Sequence, residues 1–133
     1  MSKTALKHDL ERMANAECKI AINGDVFDLI LPSDLKRFDL DAMDRALIQQ
    51  GVKPIDAAID LAYEFLKPYA HLIEFIGIGN HEAHVAKRHH IDVMSILLYR
   101  LNQLPNVDIK PGGWCGYWNV SIIRSTKKTT WTQ

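Results

Sequence analysis

The sequence predicts an α/β fold, and three observations carry that prediction. Two short apolar runs read as buried strands: Cys-Lys-Ile-Ala-Ile at residues 18–22 and Leu-Ile-Glu-Phe-Ile-Gly-Ile at residues 72–78. Each run ends in a glycine-containing polar loop, Gly24-Asp25-Val26-Phe27-Asp28 after the first and Gly79-Asn80-His81-Glu82 after the second. Helical periodicity fills the chain around them. Strand, turn, polar cluster and helix, given twice, describe loops at the carboxyl edge of a sheet, where ligands of α/β proteins bind.

The elements follow in order. Residues 2–17 read as a helix with Leu6, Leu10 and Met13 on one face. After the first strand and its loop, Pro32 breaks the pattern over residues 29–34. A helix then starts near Asp39, with Leu40, Met43 and Leu47 as its stripe and Gly51 as its stop. Another begins at Pro54, a residue favoured in a first turn, with Ile55, Ile59, Ala62 and Phe65 inward and Lys67-Pro68 at its end. Beyond the second loop, residues 82–103 form the longest helical pattern, with Ile91, Met94, Leu98 and Leu101 on one face. Residues 107–110 suggest a short strand, Pro111-Gly112-Gly113 a turn, and residues 117–124 a half-buried strand. The polar residues 125–133 read as frayed.

At 133 residues, 47% hydrophobic and 24% charged, the chain is one domain or part of one. No apolar run approaches the ~20 residues of a membrane span, and the polar, helix-like start is not a signal peptide. Cys18 and Cys115 are expected as buried thiols, and a cytoplasmic location goes with that expectation. Net charge is zero but uneven. Residues 1–80 hold 9 Lys+Arg and 13 Asp+Glu, whereas residues 81–133 hold 7 and 3, a net of +4. That basic half can attract a phosphorylated substrate or nucleic acid, although no Arg/Lys run with interleaved aromatics marks a nucleic-acid surface.

Taken singly, each loop has a plain explanation. Asp after Gly is common in turns and caps, and Asn-His-Glu suits a helix start with Glu in the first turn. The pair asks for more. Asp25 offers a hard anionic oxygen, Asn80 an amide oxygen, and His81 a proton shuttle or electrophile. His84, His89 and His90 read as exposed helical histidines before they read as ligands. Trp114, Tyr117 and Trp118 either line a substrate groove or, as is commoner, pack on a core or sheet face.

GDVFD followed by GNHE resembles the calcineurin-like metallophosphoesterases, whose metal-binding blocks run DxH, GDxxD, GNH(D/E), a lone His and then GHxH. Only the middle two blocks match: no DxH precedes Gly24 and no GHxH follows His81. The resemblance implies an α/β fold, an incomplete sandwich of β-sheets flanked by helices, with residues 1–133 as the middle portion of a larger domain. That middle portion would be a truncated reading frame, one half of a split gene or a fragment. The implied activity is metal-dependent hydrolysis of a phosphomonoester or phosphodiester, with a nuclease-like branch favoured slightly by the basic half. The implied cofactors are two divalent ions of the Mn, Fe, Zn or Mg class in the complete domain.

By resemblance, Asp25 bridges the metals and Asn80 ligates one of them. His81 stabilises the phosphoryl oxygens or protonates the leaving group, and Glu82 orients His81 or sits near the helix start. Asp28 holds the loop or a neighbouring histidine. Two ligands are few for such ions, which take about four to six. The chain by itself is therefore expected to bind metal weakly and to hydrolyse little, unless a second chain or further segments complete the sheet and the site. The rival readings are a non-catalytic remnant that packs or binds a partner, and an unrelated α/β binding domain.

Overall fold

The computed structural model describes residues 3–27, 54–124 and 127–132. It is mixed α/β, with a small parallel sheet flanked by helices. The elements are α1 (Lys3–Asn15), β1 (Ile20–Ile22), α2 (Pro54–Leu66), a 3-10 helix (Lys67–Leu72), β2 (Ile73–Gly77), α3 (Asn80–His89), α4 (Val93–Leu101), β3 (Lys110–Gly113), β4 (Asn119–Arg124) and β5 (Lys127–Thr132). The expected loop at residues 29–34, the helix from Asp39 to Gly51, and Asp28 lie outside the described residues.

Strands β1, β2 and β3 form one all-parallel sheet in that order, and β4 with β5 forms a separate antiparallel hairpin. In the parallel sheet Ile22 lies opposite Ile76, and Ala21 opposite Phe75. Since side chains alternate across a strand, these two pairs face opposite sides. Ile76 joins Val85, Leu97, Leu101 and Ile109 in a core that excludes water almost completely. Phe75, on the other side, is half-buried and meets Trp118 edge-on, with ring centroids 5.6 Å apart. Among the described residues β1 pairs with β2 alone, so its outer edge carries no strand.

Helix α1 ends in a Schellman turn. Glu17 takes a left-handed conformation (φ 52°), the Cys18 amide donates to Met13 O and the Glu17 amide to Ala14 O. That turn overturns the expectation for Cys18: it belongs to the exposed turn, not to the strand, which begins two residues later. Cys115 is likewise exposed, and both thiols are free. The buried stripe of α1 runs through Leu6, Leu10 and Ala14, at steps of four, and leaves Met13 exposed.

The single long helix expected over residues 82–103 is two helices. His90 adopts a left-handed conformation (φ 53°) and its amide donates to Ala86 O, which stops α3. Asp92 then restarts the chain: its side chain accepts from the Ser95 amide at 2.9 Å and from the Ser95 hydroxyl at 2.6 Å. The break lets Val93, Met94, Leu97 and Leu101 all turn inward, against α2 and the sheet.

Two further expectations give way after α4. Pro111-Gly112-Gly113 is not a turn but most of β3, paired with Ile76 and Gly77 of β2. Proline is tolerated there because no strand lies beyond β3 among the described residues. Gly112 fits because a Cβ would press to 2.9 Å from Phe75 Cδ2 and 3.1 Å from the Gly77 backbone. Asn102 sets where the strand starts: its amide donates to Ile109 O at 3.0 Å and accepts from Ile109 N at 2.8 Å. Within the stretch expected as frayed, residues 127–132 form β5, paired with β4 from Asn119↔Thr132 to Arg124↔Lys127.

Candidate functional site

Because β1 and β2 are parallel neighbours, their following loops leave the same edge of the sheet side by side. The contact between them is backbone against backbone. Gly24 has φ 88°, and a Cβ there would collide with the nitrogen of Gly79. Asp25 follows with φ 51°, a conformation that Asp tolerates better than most residues. A Cβ on Gly79 would land on the carboxylate and amide of Asp25. Both glycines are therefore required by the closeness of the two loops.

Glu82 fastens them together. The residue is 2% exposed, and its carboxylate accepts three backbone N–H groups, two from the first loop and one from the second. Oε2 takes Asp25 N at 3.1 Å and Gly79 N at 2.9 Å, and Oε1 takes Phe27 N at 2.9 Å. Sitting in the first turn of α3, the same charge also meets the positive end of the helix dipole. Three donors and a dipole offset the cost of burying the charge.

The start of α3 shows how the loops share one capping arrangement. Glu82 supplies the N3 half of a capping box by bonding back to Gly79, the N-cap residue. Gly79 has no side chain for the other half. Asp25 provides it from the neighbouring loop, its Oδ1 accepting the His81 amide at 3.2 Å. The carboxylate of Asp25 thus occupies the place of the missing N-cap side chain.

Asp25 and Asn80 are both exposed, and His81 is half-buried. The terminal amide of Asn80 lies 3.1 Å from Asp25 Oδ2 and 3.3 Å from Oδ1. Turned with its nitrogen inward, it donates to both oxygens. Turned with its oxygen inward, it puts three oxygens together with no donor among them, so hydrogen bonding within the protein favours the nitrogen-inward orientation. The structure therefore brings Asp25, Asn80, His81 and Glu82 to one place. Glu82 faces the loop backbone, and its carboxylate is engaged by three amides rather than aimed at solvent.

The donor set fits the beginning of a coordination shell for one hard divalent ion: a carboxylate and an amide oxygen. It does not by itself make a two-ion centre, and among the described residues no group of three or more His, Cys, Asp or Glu side chains is arranged to hold a metal. His84 and His89 are half-buried on α3, and His90 is its exposed C-cap. A cleft of about 550 Å³, lined by Glu64, Lys67, Pro68, His71, Leu104, Pro105 and Val107, lies elsewhere. His71 precedes β2 and Val107 precedes β3, so the cleft is at the opposite edge of the sheet from the two loops.

The loop-joining role of Glu82 was open to sequence reasoning in one respect only. Gly79-x-x-Glu82 has the spacing of a capping box, which announces the bond to Gly79. Nothing local announces the bonds to Asp25 and Phe27, 57 and 55 residues away. Trp114 and Tyr117, expected mainly as packing residues, are exposed, whereas Trp118 packs on Phe75 as a sheet-face residue. Compared with known proteins, the chain matches no family model, no curated protein and no solved structure.

Proposed function

We propose that this chain carries part of the site of a metal-dependent phosphoesterase. The observation that carries the reading is the meeting of Asp25 and Asn80 at the carboxyl edge of adjacent parallel strands, with His81 next in the chain. On this reading Asp25 and Asn80 hold a divalent cation through their side-chain oxygens. Bound there, the cation supplies an acidified water and relief of charge on the phosphoryl oxygens. His81 stabilises those oxygens or protonates the leaving group. Glu82 is a positioning residue that fixes both loops, and any further ligands come from beyond the described residues or from a second chain.

The finer architecture belongs to the same proposal. The parallel sheet would be one layer of a calcineurin-like sandwich, and the β4–β5 hairpin the start of the other. No helix among the described residues is long and apolar enough to cross a membrane. The two free thiols suit the reducing cytoplasm in which we place the protein.

The test is manganese binding by equilibrium dialysis, run beside hydrolysis of bis(p-nitrophenyl) phosphate by the purified chain. Binding is expected to be weak and to fall further in Asp25→Asn and Asn80→Ala. Manganese-dependent turnover is expected to drop about 100-fold or more in Asp25→Asn and His81→Ala. Manganese binding that is indifferent to both Asp25 and Asn80, together with no turnover, would sink the proposal. It would favour the rival reading, a non-catalytic module in which Asp25 only caps α3.

A further inference from the structure

Two large aromatic side chains are exposed at the same sheet edge as the candidate site. Strand β3 is parallel to β2, so the chain leaves it alongside the Gly79-Asn80-His81 loop. The junction is tied: Gly113 O accepts the Ile78 amide at 2.8 Å, two residues before Asn80. Trp114 comes immediately after that tie. It is 68% exposed, and Tyr117, three residues on, is 87% exposed. Trp118 anchors the far end of this short segment by its edge-on contact with Phe75.

Folding does not explain the two exposed rings, since neither joins the core. Leaving such surfaces in water forgoes the burial that dominates aromatic energetics. Short, glycine-flanked and held at both ends, the segment instead presents flat, stiff surfaces beside the proposed phosphoester site. A surface of that kind recognises another planar π system, and the one that occurs joined to a phosphodiester is a nucleobase.

We propose that Trp114 and Tyr117 form a stacking platform for an unpaired base of a single-stranded nucleic acid whose adjoining phosphodiester lies at Asp25 and Asn80. The inference rests on the phosphoesterase reading for its choice of ligand. It makes the substrate class a single strand rather than a duplex, because a base inside a duplex has both faces covered by stacking on its neighbours.

The experiment measures binding of a short fluorescein-labelled oligothymidylate by anisotropy, against an abasic strand of the same length and charge. The oligothymidylate should bind at least about tenfold more tightly than the abasic strand, and Trp114→Ala or Tyr117→Ala should each remove most of that ratio. Both side chains are exposed, so circular dichroism of the variants should match the parent. Equal binding of the two strands would overturn the inference, as would an unchanged ratio in both variants, the result expected if the rings instead dock a protein. Hydrolysis is read separately. Base-dependent binding without metal-dependent turnover would discard the phosphoesterase and keep the platform, and turnover without base dependence would do the reverse.

Discussion

Replacing Glu82 with glutamine removes one oxygen acceptor from the centre of the two loops and leaves its volume almost unchanged. The carboxylate now serves three amides, at 3.1 Å, 2.9 Å and 2.9 Å. A glutamine placed with its oxygen toward Asp25 N and Gly79 N must point its NH2 at Phe27 N. One buried donor then faces another, at a cost of about 1–3 kcal/mol. The two remaining bonds change from charge-assisted to neutral, which weakens each by roughly 1 kcal/mol. Against this, the variant no longer buries a charge, which returns part of the loss. The net expectation is a destabilisation of about 2–3 kcal/mol, a large share of the roughly 5–15 kcal/mol that holds a domain together. Urea unfolding followed by tryptophan fluorescence measures it as a lower midpoint. Glu82→Asp should fare no better, because one methylene less of reach cannot span both loops. If Glu82→Gln unfolds within about 0.5 kcal/mol of the parent, the carboxylate does not hold the loops and the reasoning fails.

Three further outcomes follow from single contacts. Gly24→Ala should cost about 3 kcal/mol or more in the same unfolding assay, because the new methyl meets backbone atoms of Ile78 and Gly79 at a positive φ. Asn102→Ala orphans the amide and carbonyl of Ile109, whose residue is only 1% exposed, and should cost about 2 kcal/mol. It should also speed hydrogen exchange at the Ile109 amide ahead of the rest of the core. His90→Gly should raise stability by about 0.5–1 kcal/mol, seen as a higher melting temperature, since glycine takes the left-handed C-cap of α3 without strain.

What the sequence showed of this fold was whatever its local chemistry decides. The apolar runs ahead of Asp25 and Asn80 became β1 and β2, with bounds shortened to Ile20–Ile22 and Ile73–Gly77. Periodicity located α1 and α2 as well. It failed where two signals overlapped: the apolar spacing continues across His90, Ile91 and Asp92, and the Asp92–Ser95 cap that restarts the helix is hidden inside it. Pro111-Gly112-Gly113 misled for the opposite reason. Its local preference is a turn, but β2 supplies a partner backbone, close enough that a Cβ at Gly112 would crowd Gly77 at 3.1 Å. Cys18 looked like strand because it is apolar, although the left-handed Glu17 had already placed it in the turn. In the candidate site, the sequence named Asp25, Asn80, His81 and Glu82 together. It did not show that Glu82 is spent on the backbone of the other loop.

The plain and the chemical readings of Asp25 meet at the amide of Asn80. A carboxylate has about four lone-pair positions, so accepting the His81 amide leaves Asp25 free to accept more. Capping α3 and ligating a cation therefore do not exclude each other. Asn80 is where they diverge. With its NH2 toward Asp25 the amide completes a small closed network, in which the carboxylate is satisfied by donors from its neighbour loop and needs no cation. On the proposed reading, with its oxygen toward Asp25 the same three atoms would be a cation's first ligands. The main-chain positions need not move between the two states, because Glu82 and the paired glycines hold the loops independently of that amide. The fold thus supplies a rigid frame, and on the proposed reading a half-turn of one exposed side chain would separate a capped helix from the beginning of a metal site.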